Sequence, residues 1–357
     1  GFSTITISLM SVFLIINFSQ NFQRNFFSNI PGLVFIILIV ATLINFKSIG
    51  FVTAIPNIFK FFVFILLIDF IKKNNFVFDY FLLNYYKVYL FSLVISLPLF
   101  LIFPLEEFVF YDGSANRFGG LHFELFNFIF STLLFFVSWM YNKKNIKLGL
   151  LISLVLMYIA KSNVFYFYLI VNFFVFFLRR LFVSKFFSYA IIIVLILSPI
   201  AIGFFLELLD FLNIFSLRKV TAFTHDGSSI YTRLYPYSLA VQHLIELGWT
   251  SLFPMGLGYF ENTDLVTNDN FSYGGTGSPK ALVDFGMINF LLIIFYISKL
   301  FFMNIKKLDD LSKKLYVLLF FSSLIFISYG SGFFNIVAWF CILSNPKNWK
   351  NKFYKLV

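Results

Sequence analysis

The chain has 357 residues, 60% of them hydrophobic and only 12% charged, with a mean hydropathy of +0.89. That balance excludes a soluble domain built around a large core and points to an integral membrane protein. The net charge of +11 sits mainly in short connections between apolar runs, so it reads as a topology signal and carries no indication of nucleic-acid binding.

The single cysteine, Cys341, lies in an apolar run, which leaves no intrachain disulfide and no cysteine-based metal site. Phenylalanine occurs 58 times, an abundance that AT-rich codons explain without a special role for aromatics. No cleaved signal peptide is visible, and Phe2 to Phe18 reads as a membrane span in its own right.

A span needs about 20 apolar residues, because every backbone amide must be satisfied inside the lipid. By that ruler, spans are expected near 2–18, 30–46, 51–71, 86–103, 121–141, 147–160, 163–178, 186–205, 281–302, 315–329 and 332–344. The expected fold is therefore an all-α polytopic membrane protein with about eleven transmembrane helices, within a range of ten to twelve. Residues 1–357 form a single multi-pass domain in this reading, with a large outward loop over 206–280 that carries short amphipathic helices.

Short basic loops stay cytoplasmic. Lys72-Lys73, Lys143-Lys144 with Lys147, Arg179-Arg180 with Lys185, Lys299 to Lys314 and the tail Lys347 to Lys355 fall on alternate connections. The other connections then face outward: 104–120, the break Lys161-Ser162-Asn163, the long stretch 207–280, and Gly330-Ser331-Gly332.

The outward side concentrates the chemistry. Before the fifth expected span, Asp112 to Glu124 runs from a polar turn into an apolar helix, placing Arg117 and His122 at its mouth and Glu124 about one turn deeper. Charged residues at the edge of lipid face a polar cavity or one another; a simple Arg117–Glu124 pair is the plainer alternative. Lys161 interrupts a long apolar run and is a candidate anion ligand or an ordinary hairpin residue.

In the long stretch, Arg218-Lys219 is followed by the turn signal His225-Asp226-Gly227-Ser228. Tyr231 to Thr250 is amphipathic and is expected as an interfacial or re-entrant helix, with Val241, Leu244, Ile245 and Gly248 on one face and Gln242, His243 and Glu246 on the other. Pro254-x-Gly256-x-Gly258-Tyr259 comes next, then a Gly/Ser/Asn-rich segment ending at Lys280. Two glycines one apart are a weak phosphate-loop signal, and no Walker or dinucleotide motif is present.

Arg117, Lys161, Arg218, Lys219, Arg233 and Lys280 all fall on the face that the positive-inside bias would leave uncharged. Outward cations beside Tyr235, Tyr237 and Tyr259 suit an anionic ligand at the membrane surface, of which a lipid pyrophosphate is the natural example. Arginine grips phosphate oxygens through paired charge-assisted hydrogen bonds and can stabilise negative charge on a departing pyrophosphate. An acceptor hydroxyl would also need a base, and Glu124, His122, His225, Asp226, His243 and Asp284 are the candidates, unranked. No outward carboxylate pair has Asp-x-Asp spacing, so no metal or other cofactor is expected.

The order Ser229-x3-Arg233, a mixed helix, Pro254-x-Gly256-x-Gly258-Tyr259, a polar gap, and Asp284-x-Gly286 leading into the last spans resembles the O-antigen polymerase and ligase superfamily. Arg117 to Glu124 resembles the segment that opens a middle helix in that family, and Lys161-Ser162 stands where many members have Ser-Arg. The likeness covers most of the chain in topology but only about twenty residues in detail, each motif being degenerate. Two departures bear on it. The ligases' His-Asn pair before the acid-x-G motif is missing, since Gly274 to Lys280 contains no histidine, and this favours a polymerase. Lys161 keeps a positive charge but lacks the arginine fork.

The resemblance implies a glycosyltransferase in the bacterial inner membrane with its active site facing the periplasm. It would move a growing glycan from undecaprenyl pyrophosphate onto the non-reducing end of a lipid-linked repeat unit, with inversion and without a metal. Arg117 and Arg233 would hold pyrophosphate, with Glu124 or a residue of the long loop such as Asp226 acting on the acceptor. Donor and acceptor lipid-linked oligosaccharides, membrane lipid and a chain-length regulator are the implied partners. The rivals are an O-antigen ligase, a flippase of lipid-linked sugars, which should show a clearer internal repeat, and a polytopic acyltransferase.

Overall fold

The computed structural model describes residues 30–73, 76–102, 125–142, 145–159, 184–211, 231–260, 277–306, 308, 310–329 and 335–344. Every regular element among them is helical: α1 Ile30–Ile44, α2 Phe46–Ile49, α3 Phe51–Lys73, α4 Phe76–Ile102, α5 Leu125–Tyr141, α6 Ile146–Ile159, α7 Lys185–Phe211, α8 Tyr231–Leu247, a 3-10 turn Gly248–Leu252, α9 Gly277–Ile305, α10 Asp310–Tyr329 and α11 Ile336–Leu343. Among the described residues three stretches are long and apolar enough to cross a membrane: Phe186–Leu208 in α7, Gly277–Ile305 in α9 and Ser312–Tyr329 in α10. Shorter apolar helices cover Gly32–Ile44, Phe51–Leu66, Phe128–Tyr141 and Lys147–Leu156. The expected spans 2–18 and 163–178 lie outside the described residues; each of the others is met by a helix.

Two boundaries differ from the sequence expectation for a physical reason. α4 begins at Phe76 and not near 86, and polar groups in its first turns are met by Tyr141 of α5 and by Asn142 just after it. The Tyr141 hydroxyl donates to Asp79 Oδ1 at 3.2 Å, and Asn142 Nδ2 donates to the Leu82 carbonyl at 3.0 Å. α9 runs from Gly277 and is broken inside, as described below.

The helices pack as two compact units. The first draws its described residues from Gly1–Asn74, Ala190–Leu300 and Ile327–Leu343. Its core is aromatic. Phe61 of α3 stacks near Phe64 and lies 5.5 Å from Phe35 of α1 and 5.9 Å from Phe285 of α9, while Phe64 meets Trp339 of α11 edge-on at 4.7 Å. The abundant phenylalanines thus form the packing itself, with ring pairs at the separations where offset and edge-on contacts are favourable. Gly50, with φ of 75°, closes α2 by donating its N–H to the Phe46 carbonyl and lets α3 start at once.

The second unit draws on Asn75–Tyr189, Phe301–Phe326 and Ser344–Val357. Here α4, α5 and α6 form a helical hairpin series around Tyr89, Leu93, Phe128, Phe135, Trp139 and Leu156. Ser138 Oγ of α5 donates to the Leu82 carbonyl and accepts from the Tyr86 N–H, so one hydroxyl bridges a donor and an acceptor of α4 four residues apart. Asn145 caps α6 by accepting the N–H groups of Lys147 and Leu148. Gly149 lies flat against the Trp139 indole, where a Cβ would come within 2.5 Å of the ring.

Candidate functional site

Several candidates from the sequence lie outside the described residues: Arg117, His122, Glu124, Lys161, Arg218, His225 and Asp226. Arg233 and Tyr235 fall within α8. The remaining candidates, Tyr237, His243, Gly256, Gly258, Tyr259, Lys280 and Asp284, all belong to the first unit.

The best-defined feature is a clasp between Phe253–Phe260 and the start of α9. Asp284 is 3% exposed and sits two residues before a break in its own helix at Gly286, whose backbone takes φ 72° and ψ 159°. Only glycine adopts that conformation readily. A Cβ on Gly286 would also run into the Phe253 carbonyl group and the Pro254 nitrogen, so the break both turns the helix and admits the loop. Proline fits at that contact because it has no N–H to lose.

Two carbonyls beside the break, those of Asp284 and Phe285, find partners. The Asp284 carbonyl, which a continuous helix would have paired further along, accepts the Gly256 N–H at 3.0 Å. Its carboxylate accepts the Gly258 N–H at 3.1 Å through Oδ2 and the Phe260 N–H at 3.0 Å through Oδ1. Asn289 Nδ2 reaches back to the Phe285 carbonyl at 3.1 Å. On the opposite side, Thr42 Oγ1 of α1 accepts the Leu257 N–H at 2.9 Å, and Asn45 Nδ2 donates to the Met255 carbonyl at 2.8 Å. Gly256 and Gly258 have φ of 110° and 86°, and side chains on them would meet the Thr42 backbone and the Asn57 side chain.

This changes the role expected for the two glycines. Their N–H groups, which a phosphate-binding loop would present to its ligand, donate to Asp284 instead. Asp284 itself, a candidate base by sequence, has both carboxylate oxygens engaged by backbone amides. Thr42 and Asn45 were not singled out from sequence; nothing local marks them, since their partners lie 215 and 210 residues away.

α8 packs beside the clasp, with Leu239 and Ala240 against Phe260 and Val283. Its faces differ from the amphipathic reading: Val241 is buried as expected, but Ile245 is exposed and His243, assigned to the polar face, is only 9% exposed. The His243 ring lies 5.6 Å from that of Tyr259, its two nitrogens have no hydrogen-bond partner among the described residues, and Glu246 Oε2 is 3.7 Å from Nδ1. Burial pushes the imidazole below its ordinary pKa, against the opposing pull of Glu246.

On its other side α8 meets α7 at Gly203, where any side chain would strike the Tyr237 carbonyl and Val241. Tyr237 is buried, its ring edge-on to Tyr329, with its hydroxyl 3.5 Å from the Tyr329 carbonyl; the Tyr329 hydroxyl donates to Ser198 Oγ at 2.6 Å. Ser238 Oγ donates to Glu207 Oε1. Lys280 sits in the first turn of α9, half-buried. Among the described residues no group of three or more His, Cys, Asp or Glu side chains comes together as a metal site.

Comparison of the chain with known protein families, with curated proteins and with solved structures finds no match.

Proposed function

We propose that the chain is a surface-polysaccharide polymerase of the O-antigen type, a glycosyltransferase that works on lipid-pyrophosphate-linked glycans at the outer face of the bacterial inner membrane. The observation that carries this reading is the closure of Pro254-x-Gly256-x-Gly258 on Asp284-x-Gly286, packed against the helix that contains Arg233. Two motifs of the resemblance, separated in sequence, meet in one place, beside the helix that contains Arg233. The full count of about eleven spans, with the long loop facing the periplasm, belongs to the same proposal.

In this mechanism Arg233, with Arg117 and the other outward cations, holds the pyrophosphate of the donor. Charge that builds on the leaving pyrophosphate is then met by groups already in place, which lowers the barrier more than it stabilises the ground state. The clasp contributes rigidity: it fixes α8 and the loop so that the cations need not be reorganised as the reaction proceeds. Tyr237 and Tyr259 pack within this scaffold and shape the glycan path through their neighbours.

A glycan ladder tests the reading. Cells lacking the chromosomal gene are supplied with the intact protein or with Arg233→Ala at matched expression. The intact protein restores a ladder of repeat units and Arg233→Ala leaves a single repeat. Long lipid-linked glycan made without the protein, but not attached to lipid A core, would replace the polymerase with a ligase. Failure of any repeat unit to reach the outer face would point to a transporter.

A further inference from the structure

We propose that Glu207 is the general base that takes the proton from the acceptor hydroxyl, with Ser238 positioning its carboxylate. The proposal rests on the polymerase reading above and assigns a role which that reading leaves open.

Glu207 is the penultimate residue of the apolar stretch Phe186–Leu208, where α7 emerges from its membrane-spanning part on the side assigned to the long loop. Gly203, one turn earlier on the same face of α7, lies against the backbone of α8 at Tyr237. That approach sets the rotation of α7 and aims Glu207 at Ser238, whose hydroxyl donates to Oε1. Ser238 is the one hydrogen-bond partner of Glu207 among the described residues, and it engages Oε1. Arg233 lies five residues earlier in α8, about 7.5 Å along the axis.

Three other candidates of this unit are placed differently. Asp284 holds two backbone amides, Glu246 is exposed beside His243, and both His243 nitrogens are closed off from solvent. Glu207 is half-buried: dry enough to be held, open enough to meet a sugar hydroxyl.

The step balances without a further reactant. The acceptor O–H bond breaks and its proton passes to Glu207 Oε2. The acceptor oxygen bonds to the anomeric carbon of the donor glycan from the face opposite the leaving group. The bond from that carbon to the pyrophosphate oxygen breaks, and the lipid pyrophosphate departs with the electron pair. Glu207 then returns its proton to water.

The test uses the purified full-length chain in lipid nanodiscs, with the lipid-linked fraction from source cells deleted for this gene as donor and acceptor, and undecaprenyl pyrophosphate as the binding probe. Glu207→Gln should cut turnover by about 100-fold or more. Its affinity for undecaprenyl pyrophosphate should stay within about threefold of the intact protein. Glu207→Asp should recover part of the rate, and Ser238→Ala should lower turnover while leaving probe affinity unchanged. Azide needs no base, so Glu207→Ala with azide should release glycosyl azide at a rate the intact protein does not approach. Glu207→Gln turning over within about threefold of the intact protein would overturn the assignment. So would loss of probe binding together with turnover, or no azide product from a folded Glu207→Ala. An intact protein that binds the probe but never joins repeat units would instead sink the polymerase reading, and the base with it.

Discussion

The clasp around Asp284 and the α7–α8 contact around Glu207 lie in one unit and treat polar groups in opposite ways. In the clasp, the N–H groups of Gly256, Leu257, Gly258, Tyr259 and Phe260 all have acceptors, and the carbonyl orphaned by the helix break has a donor. At the α7–α8 contact, Ser238 is the one hydrogen-bond partner that Glu207 has among the described residues. Complete satisfaction marks a part built to hold still. Capacity left over marks a part that can take up a proton or a ligand, because an unpaired polar group in a dry place is costly and is retained only where something offsets it.

The largest effect should come from removing the centre of the clasp. Asp284→Ala leaves the buried Gly258 and Phe260 amides without acceptors, at about 1–3 kcal/mol each. The variant should accumulate poorly and melt far below the intact protein in detergent, with Asp284→Asn between the two because it keeps one acceptor oxygen. If Asp284→Ala melts normally but is inactive, the contrast is reversed and the aspartate belongs to the chemistry.

Gly286→Ala comes next. It forces a side chain into a backbone region that costs of order 1–3 kcal/mol and into the Phe253 carbonyl group besides. A clear drop in thermal stability is expected, whereas an alanine at the exposed Gly248, with open space around its Cβ, should lose only the cost of its positive φ. Equal losses at the two positions would mean the loop contact contributes nothing.

The smallest effect concerns acid. The folded His243 pKa is lowered by burial, so on acidification the unfolded chain takes up a proton that the folded one refuses. Stability should therefore fall as pH drops through about 6.5, the ordinary histidine value, and go on falling to the lower folded value. Melting curves in detergent between about pH 8 and pH 5 should show this slope in the intact protein and a shallower one in His243→Phe. Parallel curves would place the ring in contact with water.

The helices were legible because hydropathy and the length of a span constrain one another, and α1, α3, α5, α6, α7 and α10 fall close to where apolar runs place them. α4 starts ten residues earlier than expected, since a single sequence does not show that Tyr141 would meet Asp79 or that Asn142 would meet the Leu82 carbonyl. The order of the motifs Pro254-x-Gly256-x-Gly258 and Asp284-x-Gly286 was visible, yet their union was not. A carboxylate accepting two amides more than twenty residues away leaves no periodic trace. His243 was put on the wrong face because an apolar stripe beside lipid need not be the buried one: Ile245 is exposed while the histidine packs inward on Tyr259.

The break at Gly286 also bears on how this protein can vary. About 19 residues, 287–305, remain beyond it in α9, roughly 28 Å of helix and enough to span the hydrocarbon alone. The clasp therefore hangs from the head of a complete span, and the leading turns from Gly277 are free of the crossing itself. Phe260 is pinned by Asp284 at one end of the polar segment 261–276, and Gly277 is pressed against the Ser328 carbonyl at the other. With both ends moored, adding residues between them raises the closure entropy only slowly. That segment is where length and sequence can change while the clasp and the span below it stay as they are.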